Sequence, residues 1–449
     1  MKKRPFLFLI LLLMFLPLMA HYKARFHVLV DTDGGIADMR ALCMMLADPE
    51  IEVIGITAVK GTLPADQTIN QVRQLLQTLG HEGIPVGGST VDEAMQLILH
   101  ELDLEEMPVD LVALGPLDNV VATLAARQEL LEEVRTLYCT LEGNGNGRMQ
   151  ASDESDPLTM LMQSGIRMEI IKFTQEVPVD LQSFREGLLA NGSRYAKAVG
   201  QLSGFFAAEG LSAEGFLPLH EEAVPLYMKY PLQFSLKEGE SEVQWEALRL
   251  HAEAPVGRMI LEMLEGEAQD RSIVLTTFPT DSTWFEPDVS AITAEIIRNH
   301  GEKEWRIVCL TNEFHEHLGI YSILGAKMGL RAREYFNVGI DEMTILSYAG
   351  QTPPLSCMND GLQVSTGATL GHGTIQVADN QPFPRATFSF KDRRVTLTVR
   401  EEFRTRIRNE VRFGVETYGL ESEAYWEYIR ALALNYWLTY SRFEIFDLE

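Results

Sequence analysis

Short apolar runs alternate with segments of helical periodicity in the first part of the chain. The apolar runs cover residues 26–30, 51–59 and 109–114, and residues 84–86 open another strand. Runs of this length that end in polar, Gly-containing turns are typical of buried parallel strands. Residues 38–47 and 66–79 repeat apolar positions at helical spacing between these runs. This alternation predicts an α/β fold with a mostly parallel sheet and helices on both faces.

A different pattern begins near Trp305. An apolar run at residues 306–310 predicts a strand, and a His-containing turn and a helix over about 320–336 follow it. A Gly/Thr-rich stretch, paired strands around 386–399 and two C-terminal helices complete the chain. Segregated helices and hairpin strands predict an α+β domain. Because residues 299–301 read as a helix stop, we expect domains at 24–300 and 301–449.

Charge and length restrict the classes of function. The chain has 449 residues, enough for two domains that each bury a core. Its formal net charge of −26 and its lack of a Lys/Arg-rich tract argue against a nucleic-acid polymer as partner. The acidic balance is explained most simply by solubility, and a small-molecule substrate remains the expected partner.

The first 20 residues predict export. A basic start at residues 2–4 precedes an apolar run from Phe6 to Met19, and Ala20 offers a cleavage site. This pattern is typical of a secretory signal peptide, so we expect a secreted or periplasmic protein without a further membrane span. An uncleaved membrane anchor is the alternative. The four cysteines are far apart and include no CxxC, so we expect mostly buried thiols rather than a zinc ribbon.

Three carboxylates crowd one turn after the first strand. Asp31, Asp33 and Asp38 lie within eight residues that also contain Gly34 and Gly35. Such carboxylates repel one another unless a cation neutralises them, and hard oxygen ligands suit Ca²⁺ or Mg²⁺. The alternative is that Asp38 only stabilises the start of the following helix.

The same turn lies in a segment, VLVDTDGGIADMRAL, that resembles the signature of the inosine/uridine-preferring nucleoside hydrolases. The resemblance continues in order through residues 54–57, 84–86 and 112–119 to residues 218–221, where PLHE resembles the family's late HD motif. It covers roughly residues 25–300. The implied fold is the nucleoside-hydrolase α/β fold, and the implied substrate is a nucleoside-like small molecule. The family also implies a homo-oligomer.

The resemblance implies roles for particular residues. Asp33, Asp38, the Leu114 carbonyl and Glu221 would ligate Ca²⁺, and Asp33 would act as the base toward a metal-activated water that attacks the anomeric carbon. His220 would lie near the leaving base as a candidate acid, although a packed histidine at a helix start is an equal alternative. Asn70 has a family counterpart and is our candidate substrate-binding residue.

Other family positions have changed. Ala37 replaces an Asp that grips a ribose hydroxyl, and Thr62 replaces an Asn. The family's E-F-N segment aligns with residues 150–152, which read QAS. Because sugar hydroxyl contacts position the reacting carbon, their loss indicates either a different substrate or loss of glycosidase activity.

A second candidate site lies in the C-terminal part. His315 and His317 form an H-x-H motif, and Cys357 lies further along the chain with Asp360 and His372. In an extended segment, residues two apart face the same way, so both imidazoles could reach one ion. Imidazole and thiolate ligands suit Zn²⁺ or another transition metal.

The segments around this motif resemble the FmdE family of formylmethanofuran dehydrogenase proteins. HEHLGIYSILGAKMGLRA and CMNDGLQVSTGATLGHGTI keep the register of that family's motifs over roughly residues 301–400. The resemblance implies an α+β core with a Cys/His metal cleft, and hence a site built from His315, His317 and Cys357. The chain departs from the family pattern at Gly319, where the family has its first Cys, and at His372, where a Lys is common.

These features give three hypotheses about function. The first is an exported, metal-dependent hydrolase of N-glycosidic bonds in nucleosides or related small molecules. The second is a catalytically degenerate protein that binds a ligand or a metal. The third places the chemistry at the His/Cys metal site of the FmdE-like domain, with the first domain capturing substrate.

Overall fold

An eight-stranded sheet forms the framework of the N-terminal half. The computed structural model describes residues 24–127, 129, 133–141, 157–172, 175–178, 181–202, 216–236, 248–251, 253–266, 274–378, 381–420 and 422–449. The strands of this half are Phe26–Thr32 (β1), Ile51–Ala58 (β2), Val86–Gly87 (β3), Val109–Ala113 (β4), Val134–Leu141 (β5), Met168–Lys172 (β6), Gln175–Pro178 (β7), Phe216–Leu219 (β8), Phe234–Leu236 (β9) and Leu248–Leu250 (β10).

The strand order in this sheet is β3-β2-β1-β4-β5-β6-β10-β9, and every pair is parallel except β9 with β10. Strands β7 and β8 form a separate antiparallel pair. The accompanying helices are Ile36–Ala47 (α1), Ala65–Leu79 (α2), Val91–Leu104 (α3), Asp118–Ala126 (α4), Pro157–Ser164 (α5), Leu181–Asn191 (α6), Arg194–Gln201 (α7), Ala223–Lys229 (α8) and Val256–Met263 (α9).

Strands β1 and β2 are buried along their whole length, which explains their continuous apolar runs. Two hydrophobic clusters cover the sheet: one is packed around α1, α2 and α9, the other around α3, α4 and α5. The mostly parallel sheet with flanking helices that the sequence predicts is therefore confirmed. Its consequence for function is that the turn after β1 lies at the carboxyl edge of the sheet, where ligands bind in folds of this kind.

A five-stranded mixed sheet organises the C-terminal half. Its strands are Thr344–Ser347 (β11), Ile375–Val377 (β12), Arg385–Phe390 (β13), Arg393–Val399 (β14) and Phe446–Leu448 (β15), in the order β12-β11-β13-β14-β15. The helices are Pro287–Ser290 (α10), Thr293–His300 (α11), Glu302–His315 (α12), Ile320–Phe336 (α13), Met358–Thr366 (α14), Glu401–Tyr418 (α15) and Glu423–Thr439 (α16). The predicted α+β class, the helix at 320–336 and the hairpin at 386–399 are confirmed.

The predicted strand at residues 306–310 is wrong, because these residues lie inside helix α12. Trp305, Val308 and Thr311 are buried at helical spacing, so the apolar run is one stripe of a helix. A short apolar run has the same appearance in a buried strand and in a buried helix, and only packing distinguishes the two. The H-x-H motif consequently begins at the end of a helix and does not follow a strand.

Helices α10 and α11 pack with the C-terminal half. Val289 and Ile296 belong to the same hydrophobic cluster as Trp305 and Trp437. Residues 289–299, which a boundary at residue 300 assigns to the first domain, therefore contribute to the second core.

Two sequence predictions lie outside the described residues, namely the signal segment at 1–20 and the changed segment at 150–152. Among the residues that are described, no helix is both long and apolar enough to cross a membrane. All four cysteines are described as free thiols, with Cys43 and Cys139 buried and Cys309 and Cys357 partly buried.

The two halves meet through a polar junction. Arg331 of α13 donates to the Gly80 carbonyl at 2.8 Å and to both carboxylate oxygens of Glu82 at 3.0 Å. The β13–β14 turn also docks on the N-terminal half, because Lys391 pairs with Glu105 and Arg393 donates to the Gly83 carbonyl at 3.1 Å. The hairpin of one half therefore lies directly on the helices and loops of the other.

Candidate functional site

The acidic turn is built by the last residues of β1 and the first turn of α1. The Asp33 amide donates to Asp38 Oδ2 at 3.1 Å, and the Thr32 hydroxyl donates to the same oxygen at 2.6 Å. Gly34 has a φ of +82°, a conformation that suits glycine and lets the chain reverse between strand and helix. The local sequence thus brings Asp33 and Asp38 next to each other.

Asp33 is held from several sides. Its Oδ1 accepts from the Gly35 amide at 3.2 Å, and its Oδ2 accepts from the amide and the hydroxyl of Thr62 at 3.0 and 3.2 Å. A Cβ on Gly61 would lie 2.1 Å from Asp33 Oδ2, and one on Gly115 would lie 2.9 Å from Asp33 Cβ. Both glycines are therefore required by the close approach of this side chain. From the sequence, Thr62 counts only as a lost ribose contact, yet in the fold it orients Asp33.

Asp31 lies behind this pair, buried within β1. Its Oδ1 accepts from Thr57 Oγ1 at 2.7 Å and from Asn119 Nδ2 at 2.9 Å, whereas its Oδ2 has no hydrogen-bond partner among the described residues. Burial raises the pKa of Asp31 to about 7. Asp31 therefore braces the neighbouring strand ends and adds negative charge under the turn.

Glu221 approaches from a distant part of the chain. Burial raises its pKa to about 8, and the charges of Asp38 and Asp33 contribute to this rise. Asp38 is only 2% exposed, and burial followed by the charge of Asp33 raises its pKa to about 8. The charges of Asp38 and Asp33 thus act on Glu221, although the oxygen atoms of the three side chains do not all lie within 4.8 Å of one another.

Glu222 anchors the turn that carries Glu221. It forms a buried ion pair with Arg40 of α1 and accepts a hydrogen bond from the His220 amide at 3.0 Å. Arg40 lies two residues after Asp38, so the pair fixes the Glu221 turn against the acidic helix start. The sequence did not predict this pair, because nothing in the local sequence connects the two residues.

The remaining predicted residues of this site are Leu114, His220 and Asn70. The Leu114 amide donates to the Asp31 carbonyl at 2.8 Å, which places residue 114 at the end of β4 beside the turn. His220 immediately precedes Glu221 and is half-buried. Asn70 is exposed on α2.

The C-terminal candidate site forms where α12 ends. His315 is the last residue of this helix, and Glu316 takes a left-handed φ of 61°. The ring centroids of His315 and His317 lie 4.2 Å apart. The predicted proximity of the two imidazoles therefore arises from a helix end and not from an extended segment. Cys357 immediately precedes α14, half-buried, and burial followed by the charge of Asp360 raises the pKa of its thiol.

Asp360 orients His315. The His315 Nδ1 lies 2.7 Å from Asp360 Oδ2, whereas the buried Nε2 has no hydrogen-bond partner in the described part of the chain. A carboxylate on one ring nitrogen is the arrangement that commonly prepares the other nitrogen to bind a metal. The Nε2 faces Gly319, since a Cβ there would lie 3.4 Å from it.

The other predicted members of this site are less closely gathered. His315, His317 and Cys357 do not bring three ligand atoms within 4.8 Å of one another. His372 pairs instead with Asp341, at 2.9 Å. The arrangement therefore offers one oriented imidazole with a second imidazole and a thiol in its neighbourhood.

Fold and site together define a two-part chain, in which a parallel α/β half with an acidic strand-end site precedes an α+β half with a His/Cys site. Residues 28–91 match the family model described as inosine-uridine preferring nucleoside hydrolase, and residues 314–446 match the model described as FmdE, molybdenum formylmethanofuran dehydrogenase operon. Both resemblances inferred from the sequence are thereby confirmed. The first half of the chain therefore resembles the nucleoside hydrolases, and the second half resembles FmdE proteins.

Curated relatives match roughly half of the chain. The pyrimidine-specific ribonucleoside hydrolase RihA of Klebsiella pneumoniae (strain 342) is 27% identical over 255 residues, which are 46% of this chain and 81% of that protein. Its namesake from Shewanella sp. (strain MR-4) is 23% identical over 303 residues, 57% of this chain and 90% of that protein.

Two solved structures also cover about half of the chain. A plant nucleoside hydrolase, PpNRh1, has a TM-score of 0.44 at 19% identity and covers 54% of this chain and 99% of its own. The purine-preferring ribonucleoside hydrolase from Gardnerella vaginalis has a TM-score of 0.43 at 17% identity and covers 54% of this chain and 97% of its own.

Proposed function

We propose that the N-terminal half hydrolyses the N-glycosidic bond of a nucleoside or a related small molecule, with Ca²⁺ bound by Asp33, Asp38 and Glu221. The observation that carries this proposal is the convergence of Glu221 on the Asp33–Asp38 turn. Glu221 comes from 183 residues further along the chain than Asp38, and the Arg40–Glu222 pair holds its turn in place. Relatives that resemble this chain are named as ribonucleoside hydrolases.

The residues fit a hard divalent cation. Burial raises the pKa values of Asp38 and Glu221 to about 8, and the neighbouring charges that act on them are themselves negative. Asp31 Oδ2 is also buried without a partner among the described residues. Carboxylate oxygens with a backbone carbonyl are the donors that Ca²⁺ prefers, and the Leu114 carbonyl is our candidate for the latter. Bound Ca²⁺ would supply the positive charge that makes a water molecule more acidic.

The side chains of the site have separate roles in the proposed reaction. Asp33 is fixed by three donors and accepts the proton of the attacking water, whose oxygen forms the new bond to the anomeric carbon. The C–N bond breaks as that bond forms, and its electrons go to the leaving base. His220, beside Glu221, gives the base its proton. Charge that develops on the sugar ring is stabilised by the surrounding carboxylates.

The substrate differs from an ordinary nucleoside in how its sugar is held. Ala37 offers no side-chain hydrogen-bond acceptor at a position where the family grips a ribose hydroxyl. We therefore propose a substrate whose sugar lacks or masks that hydroxyl. The signal segment further leads us to propose that the reaction takes place outside the cytoplasm.

Release of free base from a panel of ribo-, deoxyribo- and sugar-modified nucleosides with Ca²⁺ tests the proposal. Asp33→Ala should abolish turnover, whereas Asp66→Ala, which changes an exposed carboxylate on α2, should leave it unchanged. Equal rates for the wild-type protein and Asp33→Ala on every substrate would overturn hydrolysis. Stabilisation by a nucleoside that is never turned over would instead support the degenerate binding protein.

A second candidate function is favoured by His315, whose Nδ1 contacts Asp360 while its buried Nε2 has no partner among the described residues. We propose that His315, His317 and Cys357 hold Zn²⁺ or another transition metal in the FmdE domain, with Asp360 orienting the first ligand. Elemental analysis of the full chain and of His315→Ala tests this site. Equal transition-metal content in the two proteins would contradict it.

A further inference from the structure

A third cluster of ionisable side chains shares no residue with either candidate site. His27 is the second residue of β1 and is the direct register partner of Glu52 on β2. Glu105 follows the last residue of α3. The cluster lies at the amino edge of the sheet, six residues before Asp33 along an extended strand, which corresponds to about 20 Å. It therefore cannot share a ligand with the acidic turn.

The geometry of the cluster suits one small cation. The Nδ1 of His27 lies 3.4 Å from Glu105 Oε2 and 3.6 Å from Glu52 Oε2. Zinc bonds of about 2.0–2.2 Å in a tetrahedral site place neighbouring ligand atoms roughly 3.3–3.6 Å apart. Among the described residues, these three are the ones whose ligand atoms, drawn from His, Cys, Asp or Glu, all lie within 4.8 Å of one another.

The cluster is also buried and incompletely satisfied. His27 is 3% exposed and Glu52 is 6% exposed. Neither ring nitrogen of His27 has a hydrogen-bond partner among the described residues. The His27 Nδ1 lies within ion-pair distance of both carboxylates, whereas its Nε2 is buried without a partner among the described residues, which costs free energy. The unpartnered Nε2 is an observation independent of the acidic residues themselves.

The charges around the cluster favour a cation. Glu52 and Glu105 are both carboxylates, and the ammonium group of Lys391 contacts Glu105 and acts on Glu52. Glu342 adds further negative charge close to Glu52. Three carboxylates therefore surround the ammonium group of Lys391 and the His27 imidazole, and a divalent ion would reduce the excess of negative charge.

Glu105 is already oriented for a ligand role. Its Oε1 accepts from the Met107 amide at 2.9 Å, and its Oε2 pairs with Lys391. Contacts of this kind fix a carboxylate before a metal arrives, so less ordering is needed when it binds.

We propose that His27, Glu52 and Glu105 form a buried binding site for one divalent transition-metal ion, with Zn²⁺ as the best match. One imidazole nitrogen and two carboxylate oxygens form a donor set that zinc accepts readily. Lys391, which contacts Glu105, lies in the β13–β14 turn of the C-terminal half. The ion therefore has a structural role, because it fixes the surface on which the FmdE domain docks.

Zinc stoichiometry of the full chain tests this site. The measurement uses His315→Ala/His317→Ala protein, which lacks the C-terminal imidazoles, with excess Ca²⁺ present to keep zinc from the acidic turn. We expect one zinc per chain after loading and removal of free metal. Adding Glu52→Gln should weaken zinc binding by more than about 100-fold, since loss of even an outer contact to a metal ligand costs 10–100-fold.

His100→Ala in the same protein is the matched control. The His100 Nε2 lies 2.9 Å from Asp392 Oδ2 in the β13–β14 turn, next to Lys391, but His100 is half-exposed. This variant should therefore keep its zinc. The site would be overturned if the His315→Ala/His317→Ala protein bound no zinc, or if folded Glu52→Gln protein kept its full zinc content. His27 would then be a protonated ion-pair partner of the two carboxylates.

X-ray absorption at the zinc edge keeps the test decisive if Glu52→Gln does not fold. The loaded His315→Ala/His317→Ala protein should show one imidazole nitrogen, oxygen as the remaining donors and no sulfur. A zinc shell that contains sulfur or lacks imidazole would contradict the assignment. Because neither readout measures hydrolysis, failure of this site and failure of the proposed activity are distinguishable.

Discussion

Arg40 and Glu222 form a buried ion pair across 182 residues of sequence. Arg40 is 8% exposed and Glu222 is 2% exposed. Each partner is close to a candidate ligand: Arg40 follows Asp38 on the same helix, and Glu222 follows Glu221 in the same turn. The pair therefore joins the two sequence segments from which the acidic site is assembled.

Removal of Arg40 should destabilise the protein and open the site. Arg40→Ala leaves the Glu222 carboxylate buried without this partner, which costs about 3–5 kcal/mol in the free energy of unfolding. Denaturant unfolding measures this change, and Ca²⁺ affinity should fall with it. The control is Arg258→Ala, whose exposed pair with Glu262 contributes less than about 1 kcal/mol. Equal losses in the two variants would mean that the buried pair has no special role.

A methyl group at residue 61 should displace the candidate base. In Gly61→Ala the new Cβ would lie 2.1 Å from Asp33 Oδ2, so the carboxylate must move. Because a misplacement of about 1 Å can cost on the order of 10²-fold in rate, we expect a loss of that order in kcat/KM for any nucleoside that is hydrolysed. Gly371→Ala is the control, since a Cβ there meets only Thr369 Oγ1, at 3.7 Å, among the described residues. An unchanged rate in folded Gly61→Ala protein would exclude Asp33 from the reaction.

Stability without Ca²⁺ should fall as the pH rises. Burial raises the pKa of Asp38 from 3.8 to about 8 and that of Glu221 from 4.5 to about 8. Between about pH 4 and about pH 8 the folded protein therefore holds protons that the unfolded chain has lost. By linkage, the stability from these protons is fully present below about pH 4 and is lost as the pH rises through about 8.

Thermal unfolding in a chelator between about pH 5 and about pH 8 measures this effect, since that window lies between the unfolded and folded pKa values. Asp38→Asn removes one of the titrating groups, so it should flatten the decline relative to the wild-type protein. Saturating Ca²⁺ should flatten it too, because the ion replaces the protons. A wild-type decline that neither Asp38→Asn nor Ca²⁺ reduces would assign the pH dependence to other groups.

Loss of the Asp360 carboxylate should weaken metal binding in the FmdE domain. Asp360→Asn keeps the shape of the side chain but removes the charge that orients His315, so transition-metal affinity should fall on the order of 10–100-fold. Competition with a chromophoric chelator measures the affinity. Asp341→Asn, which changes the carboxylate beside His372, should leave the affinity within about 3-fold of the wild-type value, because its described contact is with His372 and not with a proposed ligand. A larger loss of affinity in Asp341→Asn than in Asp360→Asn would indicate that the metal binds at His372 and not at His315.

Features with a local cause could be predicted from the sequence. The runs of β1 and β2 predict buried parallel strands, and every residue in them is buried. The turn from Asp31 to Asp38 folds onto itself because its glycines and carboxylates are contiguous. Helix α13 follows from its own periodicity and occupies the expected residues 320–336.

The tertiary structure decided what depends on distant parts of the chain. Packing of Trp305 against Trp437 accompanies a helix at residues 302–315, where the apolar run alone also fitted a strand. Burial of the Arg40–Glu222 pair brought Glu221 to Asp38, and the register of β1 on β2 set His27 beside Glu52. Local sequence specifies backbone preference and polarity, but which charges meet in a buried site depends on how separate elements pack, and no periodicity within one segment encodes that.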